Sequence, residues 1–474
     1  MLLSREPLPE LSPDQRDKLR LLLDRALGSS KVLLEREACE RFGADESEAA
    51  PRIPDAVVLA KGAEDILAAL QVAREAGVPI TPRAGGTGRS GGAVPVAGGI
   101  VLAVEGMNQI KEIDRQEGIA VVGPGVVLGE LHRAVEAEGW FYPPDPNSWE
   151  TCALGGNVAE NAGGPRAFKY GTTRQYVLGL EAFLIGGQRL SVGRRTVKGV
   201  TGYDVTGLLV GSEGTLAVFG DITLRLIPKP PVVMTLMALF AGVRDSVHAV
   251  ARMTREGLVP RCIELLDRHT LQAMRSAGNA IEEGAGAMLL MDVDGEPAQC
   301  EAQAERVAAA CEGALSVLVA QDAGQREKLW SARREMSLSV RRMARHKLAE
   351  DVVVGRQRVV ELLDRVDRIS EDNRIRSLTY GHAGDGNLHV NFLWDHDDEL
   401  PRVDACIEAL FRAVVELGGT LSGEHGIGIL KAPYLGLEQS AELIALQRDL
   451  KRVFDPAGLL NPGKVFPALG HGAC

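Results

Sequence analysis

The sequence lacks paired cysteines, long apolar runs and an excess of positive charge. Its seven cysteines are widely spaced and contain no Cys-x-x-Cys pair, which argues against a disulfide framework or a cysteine zinc site and fits a reducing compartment. The net charge of -11 argues against nucleic acid as a partner, because such proteins need a basic face. No run of about 18 apolar residues or signal-peptide core is present, so we expect a cytoplasmic protein. Peripheral attachment at the inner face of a membrane stays open.

Glycine, in contrast, is abundant, and many of the 54 glycines lie in loops between residues 85 and 220. A stiff Pro228-Lys-Pro-Pro231 break follows this region. The expected organisation is an N-terminal helical segment (1–50), a glycine-rich domain (51–230), an α+β domain with an antiparallel sheet (231–440), and a C-terminal helix and tail (441–474).

Periodicity and turn residues predict the individual elements. Helices are expected at 13–28, 64–76, 127–138, 244–256, 297–311, 325–345 and 401–417. Strands are expected at 78–81, 99–104, 119–122, 178–185, 221–227, 232–240, 287–293 and 388–392, and residues 29–55 are expected to be irregular.

One glycine-rich loop runs from Pro82 to Gly92 and follows an apolar strand. Its glycines, with Thr87 and Ser90 between them, expose successive backbone N–H groups, and such concave nests bind phosphate oxygens. A flexible surface loop is the alternative. The spacing is not the G-x-G-x-x-G of a nicotinamide-binding turn, and no G-K-[ST] is present, so neither nicotinamide nor ATP is favoured.

Four further stretches combine small and polar residues. They are Tyr142-Pro-Pro-Asp-Pro146, Leu154 to Gly164 with Lys169-Tyr-Gly171, Thr201-Gly-Tyr-Asp204 and Gly211-Ser-Glu-Gly-Thr215. Such stretches suit a long, flat ligand with polar edges that lies along the backbone.

Two motifs near the C-terminus gather histidines in a chain that has only nine. Tyr380-Gly-His-Ala-Gly-Asp-Gly-Asn-Leu-His-Val-Asn391 contains His382 and His389, and Ser422-Gly-Glu-His-Gly426 contains Glu424 and His425. We interpret them as a site for a divalent metal and a proton acceptor; zinc, iron and manganese all suit such ligands. The remaining histidines are interpreted as structural: His132, His248, His269, His346, His396 and His471.

Together, and in this order, the motifs resemble the flavin domain of the vanillyl-alcohol-oxidase (PCMH-type) superfamily. With the C-terminal motifs, they resemble its D-2-hydroxyacid dehydrogenase branch, which includes D-lactate dehydrogenases, glycolate oxidase flavin subunits and D-2-hydroxyglutarate dehydrogenases. The resemblance covers about residues 50 to 467. It implies an α+β fold in which FAD lies between two subdomains and faces a C-terminal cap.

The resemblance also implies which residues bind FAD. The pyrophosphate would lie on Arg83, Gly85, Gly86, Thr87, Gly88, Ser90 and Gly91. The rest of the flavin would be lined by Pro143, Asp145, Gly155, Gly156, Asn157, Asn161, Gly163, Tyr170, Gly171, Glu213, Gly214, Thr215 and Asn461. Some relatives attach flavin to a histidine in or near the first loop. Residues 82–99 contain none, so we expect non-covalent FAD.

For catalysis, the resemblance implies that His382, His389 and Glu424 bind the metal and that His425 is the general base. The sequence leaves open a swap between Glu424 and His425, because neighbours on an extended chain point apart. Asn391 shares a strand face with His389 and is expected to hydrogen-bond the substrate.

The substrate carboxylate is expected to bind Arg333, which ends a Leu-Trp-x-x-Arg motif; Arg334 is read as a solvated charge. The hydroxyglutarate branch has a lysine two residues before an aspartate. Here that place, before Asp351, is held by Ala349, and Lys347 is out of register. D-lactate or glycolate is therefore favoured over D-2-hydroxyglutarate.

The expected activity is oxidation of a D-2-hydroxyacid to the 2-oxoacid, with hydride transfer to flavin. The electrons would pass to a quinone, a cytochrome, an electron-transferring flavoprotein or an iron–sulfur subunit, and a homodimer is possible. The alternatives are a non-catalytic flavin subunit of an electron-transfer complex and a flavin transferase without net redox chemistry.

Overall fold

The computed structural model describes residues 11–196, 198–334 and 336–466. His471 and Cys474 lie outside the described residues. We call residues 11–228 the glycine-rich half and residues 232–466 the C-terminal half.

The glycine-rich half contains seven α-helices and eleven strands in its described part. The helices are α1 (Pro13–Leu27), α2 (Arg36–Cys39), α3 (Ala63–Ala76), α4 (Leu128–Ala137), α5 (Leu154–Glu160), α6 (Ala167–Tyr170) and α7 (Val205–Leu209). The strands are β1 (Val32–Leu33), β2 (Ala56–Leu59), β3 (Ile80–Arg83), β4 (Ile100–Ala103), β5 (Ile110–Asp114), β6 (Ile119–Val122), β7 (Trp140–Phe141), β8 (Val177–Phe183), β9 (Arg189–Gly193), β10 (Val218–Arg225) and β11 (Ile227–Pro228).

The C-terminal half has longer strands. Its helices are α8 (Val243–Arg255), α9 (Arg268–Ser276), α10 (Pro297–Ala310), α11 (Ala323–Arg334), α12 (Met336–Arg341), α13 (Val359–Asn373), α14 (Leu400–Glu416), α15 (Leu435–Glu438) and α16 (Ala441–Phe454). Its strands are β12 (Val232–Phe240), β13 (Cys262–Leu266), β14 (Ala287–Gly295), β15 (Ser316–Val319), β16 (His346–Val353), β17 (Arg376–His382) and β18 (Asn387–Trp394).

The first sheet has the order β1-β2-β4-β3, with β2, β4 and β3 parallel. Helices α1 and α3 share a core with it, in which Leu19 and Leu23 are buried. The helix α1 begins where the sequence predicts, because Ser12 and Gln15 form a reciprocal capping box at its N-terminus.

The second sheet is antiparallel and has the order β5-β6-β10-β8-β9. On β10, Ile222 and Leu224 are fully buried, in a core shared with α4 and α5. The glycine-rich half therefore contains two separately cored sheets, and the predicted α+β class is confirmed.

The third sheet has seven antiparallel strands in the order β15-β12-β14-β13-β17-β18-β16. Helices α8, α10, α13 and α14 cover one face, and α9 and α12 pack against the other. The predicted antiparallel sheet is thus confirmed. Every residue of β18 is buried, because both faces of this sheet are covered.

Several predicted elements were wrong in extent. In the interval 325–345, the described residues are helical in α11 and α12 and the helix ends at Arg341, four residues earlier than expected; the chain then enters β16 at His346. All eight residues of β16 pair with β18, and this strand was not expected from the sequence. The strand expected at 388–392 spans Asn387–Trp394, and the segment 29–55 contains β1 and α2.

The tail returns to the glycine-rich half. The backbone nitrogen of Asn461 donates to Ile80 O at 2.8 Å, and Lys451 Nζ donates to Thr215 O at 2.7 Å. Within the described ranges, no helix is both long and apolar enough to cross a membrane.

Candidate active site

A large cavity of about 1190 Å³ lies between the two halves. The glycine-rich loops form one wall, and the seven-stranded sheet, with α11 and the loop 422–428, forms the other. Its volume exceeds the usual range for drug-sized ligands and is large enough for a dinucleotide beside a small substrate.

Many of the predicted cofactor residues line this cavity. They are Arg83, Gly85, Gly86, Thr87, Gly88, Asp145, Gly155, Gly156, Asn157, Gly163, Glu213 and Gly214. Close packing requires some of these glycines: a Cβ at Gly155 would lie 2.8 Å from Pro124 Cβ. The wall is therefore mostly backbone, which allows a flat ligand to approach closely.

The cavity lining does not include Ser90, Gly91, Pro143, Asn161, Tyr170, Gly171, Thr215 or Asn461. Several of these make protein contacts instead. The Tyr170 hydroxyl donates to Asp294 Oδ2 at 2.8 Å, and Asn461 Nδ2 donates to Gly92 O at 3.0 Å and Glu213 O at 2.8 Å. These residues shape the loops around the cavity, and their expected direct contacts with flavin stay a prediction.

Buried polar atoms at this wall are left without protein partners. Asn157 Nδ2, Glu160 Oε2 and Arg166 Nη1 have none among the described residues, and all three residues line the cavity. Unpaired buried polar atoms are costly, so they indicate that a polar ligand supplies their hydrogen bonds. Together with the exposed backbone, this fits FAD.

The register of the sheet brings His382 and His389 together. In the β17–β18 hairpin, His389 lies opposite Tyr380, and His382 is two residues further along β17, so the two histidines share a face. Their rings are 5.2 Å apart. Glu424 Oε1 is 3.4 Å from His382 Nε2 and 3.6 Å from His389 Nε2. The three predicted metal ligands therefore converge.

Glu264 on β13 supports this group and was missed by the sequence analysis. It lies opposite His382 across the sheet, is fully buried, and its carboxylate binds His382 Nδ1. The other oxygen of the carboxylate, Oε2, accepts from Arg333 Nη2 at 2.6 Å. Glu264 thus leaves His382 Nε2 directed at Glu424 and fixes the guanidinium of Arg333. A lone acid in the apolar stretch Cys262–Leu266 was the available indication.

Asp351 on β16 explains how two neighbouring side chains both enter the site. Its Oδ2 accepts from the backbone nitrogens of Gly423, Glu424 and His425 at 2.8, 2.8 and 3.0 Å. Three consecutive amides facing one carboxylate curl the chain, so Glu424 and His425 are not on opposite sides of an extended strand. His425 then stacks on His389, with centroids 5.3 Å apart and an interplanar angle of 7°.

The pKa values of the three imidazoles diverge. Burial lowers the pKa of His425, although the Asp351 and Glu424 carboxylates oppose this effect. Burial also lowers the pKa of His389 well below its usual range, and the neighbouring His382 and His425 lower it further. For His382, Glu264 and Glu424 outweigh burial and raise the pKa well above its usual range. Positive charge is therefore favoured between His382 and Glu424, while His425 is neutral at physiological pH.

Arg333 reaches the cavity, whereas Asn391 does not. Arg333 is buried, lines the cavity and lies over the Tyr380 ring at 4.9 Å. Asn391 is fully buried, and its Nδ2 donates to His389 O at 2.9 Å. The expected contact of Asn391 with substrate stays a prediction: its Nδ2 braces the strand, and its Oδ1 has no hydrogen-bond partner in the described chain.

Two further residues on β16 and one on α11 line the cavity. Lys347 and Ala349 share the strand face of Asp351 because side chains alternate along a strand, and the buried Lys347 is hydrogen-bonded with Tyr380. Arg334 pairs with Glu327 and also lines the cavity, so it is not simply a solvated charge.

Comparison with known families then identifies the chain. Residues 54–193 match the FAD binding domain model, and residues 229–465 match the model of FAD linked oxidases, C-terminal domain. The protein belongs to the FAD-linked oxidase family. It is therefore an FAD-binding oxidoreductase, as the motifs predicted.

Relatives over nearly the whole chain include several enzymes. The glycolate oxidase subunit GlcD of Bacillus subtilis is 40% identical over 87% of this chain and 89% of its own. The D-lactate dehydrogenase of Archaeoglobus fulgidus is 36% identical over 90% and 96%, and the D-2-hydroxyglutarate dehydrogenase of Stutzerimonas stutzeri is 30% identical over 95% and 98%.

The solved structure of p-cresol methylhydroxylase shows the same fold. It aligns with a TM-score of 0.82 at 18% identity, over 98% of this chain and 99% of that structure. The predicted PCMH-type architecture is thereby confirmed.

Proposed function

We propose that this member of the FAD-linked oxidase family is a dehydrogenase that oxidises a D-2-hydroxyacid, or the achiral glycolate, to the 2-oxoacid. The convergence of His382, His389, Glu424 and His425 on the wall opposite the glycine-rich loops carries the proposal. Residues 51–230 would then form the FAD domain, residues 231–440 the cap, and residues 441–474 the returning tail.

FAD would be held non-covalently by the exposed backbone of the loops 83–88, 155–157 and 213–214. Bound flavin would supply the acceptor for a hydride from the substrate α-carbon. No histidine is available in the loop 82–99 for a covalent link. The protein contributes a concave row of backbone amides to this site.

His382 Nε2, His389 Nε2 and Glu424 Oε1 would hold a divalent ion such as zinc, iron or manganese. Such an ion would lower the pKa of a bound hydroxyl group. Asp351, His389, Glu424 and His425 form a second possible set, with ligand atoms within 4.8 Å of one another. Asp351 already accepts three backbone amides, and Asn387 Nδ2 donates to it at 2.5 Å, so we assign it a supporting role instead.

His425 would act as the general base. Its lowered pKa keeps the imidazole neutral, and its stacking on His389 places it beside the ligand group. Glu424, which approaches both other histidines, suits the ligand role better, so we propose that the two neighbours are not swapped.

The substrate carboxylate would bind Arg333, which Glu264 orients. Ala349 in the cavity wall favours a small monocarboxylate such as D-lactate or glycolate. The alternative, D-2-hydroxyglutarate, gains support from Lys347, which places a cation in the same cavity.

The electrons would leave for a separate acceptor: a quinone, a cytochrome, an electron-transferring flavoprotein or an iron–sulfur subunit. Support comes from the relatives named as a glycolate oxidase subunit, since a subunit works with other chains. Homodimer formation stays a prediction.

The proposal is tested by adding D-lactate, glycolate, D-2-hydroxyglutarate and the L-enantiomers to the metal-supplemented protein without oxygen. One acid should bleach the flavin absorbance within seconds, and an L-enantiomer should not. Acid precipitation of the same preparation should release the yellow colour into the supernatant. Failure of every acid to bleach the flavin would favour a non-catalytic subunit or a flavin transferase.

A further inference from the structure

Glu213 joins the two halves of the molecule at the loop that carries Glu424 and His425. Its Oε1 accepts from the backbone nitrogen of Ile427 at 2.8 Å, and its Oε2 accepts from that of Gly428 at 2.6 Å. Both bonds cross from the glycine-rich half to the C-terminal half. The side chain suggested by the resemblance as a flavin contact is therefore engaged with the protein.

The backbone of Glu213 is held on two further sides. Its nitrogen donates to Ala159 O at 2.8 Å, and its carbonyl accepts from Asn461 Nδ2 at 2.8 Å. Its φ is 52°, in the left-handed region that a residue with a side chain seldom adopts. A strained, buried and fully tethered glutamate indicates a specific task for its carboxylate.

The loop 422–428 lies between two carboxylates. Asp351 accepts from Gly423, Glu424 and His425 on one side, and Glu213 accepts from Ile427 and Gly428 on the other. Gly426, between these groups, has a φ of 84°, and a Cβ there would lie 2.2 Å from Glu160 Oε2 and 3.1 Å from Glu213 Oε1. The glycine is thus required for the close approach.

We propose that Glu213 is a positioning residue that fixes the loop 422–428, and hence Glu424 and His425, against the FAD domain. This inference rests on the proposed function. Asp351 alone ties the loop to the sheet of its own half. Glu213 supplies the side-chain hydrogen bonds that tie it to the cofactor wall, beside the backbone bond from Ile429 N to Ser90 O at 2.9 Å. At that wall, a shift of about 1 Å costs on the order of a hundredfold in rate.

Glu213→Gln tests the inference. The side-chain amide of glutamine has one oxygen and one NH2 group, and the NH2 group would face a backbone N–H that the carboxylate now accepts from. One of the two hydrogen bonds is therefore lost. In the FAD-loaded protein, hydrogen exchange of peptides covering 422–430 should rise about tenfold, the change expected for one lost hydrogen bond. Peptides from β14 should not change. FAD content should stay near one per chain, while the bleaching rate falls about 10- to 100-fold with little change in substrate KM.

Two variants make the result decisive. Glu213→Asp tolerates the left-handed backbone but is one methylene shorter, so it should also raise exchange in 422–430. Glu181→Gln is the matched control: Glu181 is an acid of the same half, and its carboxylate accepts from Arg189 on the neighbouring strand instead of from the loop 422–428. It should leave exchange in 422–430 unchanged.

Unchanged exchange in both Glu213 variants would overturn the inference. So would loss of FAD with normal loop exchange, since Glu213 would then be a cofactor contact. If no hydroxyacid bleaches the wild-type flavin, the proposed function fails, but the exchange comparison still decides whether Glu213 clamps the loop.

Discussion

At the residue scale, buried carboxylates determine what each histidine can do. Glu264 raises the pKa of His382 and binds its Nδ1, whereas His425 stays neutral because burial dominates. His132 lies outside the group formed by His382, His389 and His425, and burial lowers its pKa instead of a carboxylate raising it. Its Nε2 lies 3.0 Å from Pro144 O, beside the loop that carries Asp145.

His132 yields a prediction about pH. Burial and the Arg166 charge lower its pKa to about 3, whereas the unfolded chain has the ordinary value of about 6.5. Between these values the unfolded state binds the extra proton, so the stabilisation is present above pH 6.5 and is lost as the pH falls towards 3. Between pH 7 and 5.5 the wild type should lose about 1 kcal/mol of unfolding free energy through this residue.

Urea unfolding of the wild type and His132→Gln at both pH values measures this difference. Glutamine can still donate to Pro144 O but does not titrate, so its loss on acidification should be smaller by about 1 kcal/mol. Equal losses in the two proteins would show that His132 does not titrate as described.

At the element scale, the site is assembled by strand register and one curled loop. β13, β17, β18 and β16 are neighbours in the sheet, and this order places Glu264, His382, His389 and Asp351 side by side. Asp351 then holds the loop 422–428 through three amides.

Asp351→Asn should therefore weaken both the fold and the ion site. Its amide N–H groups would face the loop amides, and a buried group with lost hydrogen bonds costs about 1–3 kcal/mol. We expect a lower unfolding temperature and at least tenfold weaker zinc or manganese binding, measured by competition with a chelator.

Glu350→Gln is the matched control. Glu350 is the preceding residue, is buried on the opposite strand face and has a pKa raised to about 7 by burial, so the neutral amide resembles its protonated form. Comparable loss of metal binding in both variants would contradict the specific role of Asp351.

The local motifs were predictable from the sequence, but their partners were not. Glycine spacing and the paired histidine motifs point to His382, His389, Glu424 and His425, which the structure brings together. Glu264 and Asp351 were not recognised, because only long-range strand pairing places them beside the histidines. The substrate contact of Asn391 stays a prediction, since alternation gives a strand face but not which part of that face meets the cavity.

The elements of the fold were likewise predictable only in part. Strand β12 was predicted with its bounds and the α+β class followed from the mixed order of the elements, whereas the helix expected at 325–345 ends at Arg341. Strands β13, β16 and β17 were not predicted. Helices cover both faces of the third sheet, and strands buried on both faces lose the alternation that marks an amphipathic strand.

At the scale of the whole molecule, the cavity exists only because the two halves meet. Gly163 of the glycine-rich half is so close to Glu424 that a Cβ would lie 2.7 Å from Glu424 Oε2. Lys169 also binds Asp294 across the interface. The cofactor wall and the proposed ion ligands are therefore adjacent, and an alcohol between them would contact both.

Removal of the ion tests this account most directly. The chelator-treated protein and the same sample after addition of zinc or manganese are compared without oxygen, using the acid that bleaches the wild-type flavin. We predict an unchanged FAD spectrum, a bleaching rate at least about a hundredfold lower after chelation, and recovery on metal addition. Bleaching that is equally fast in a verified metal-free sample would contradict the account.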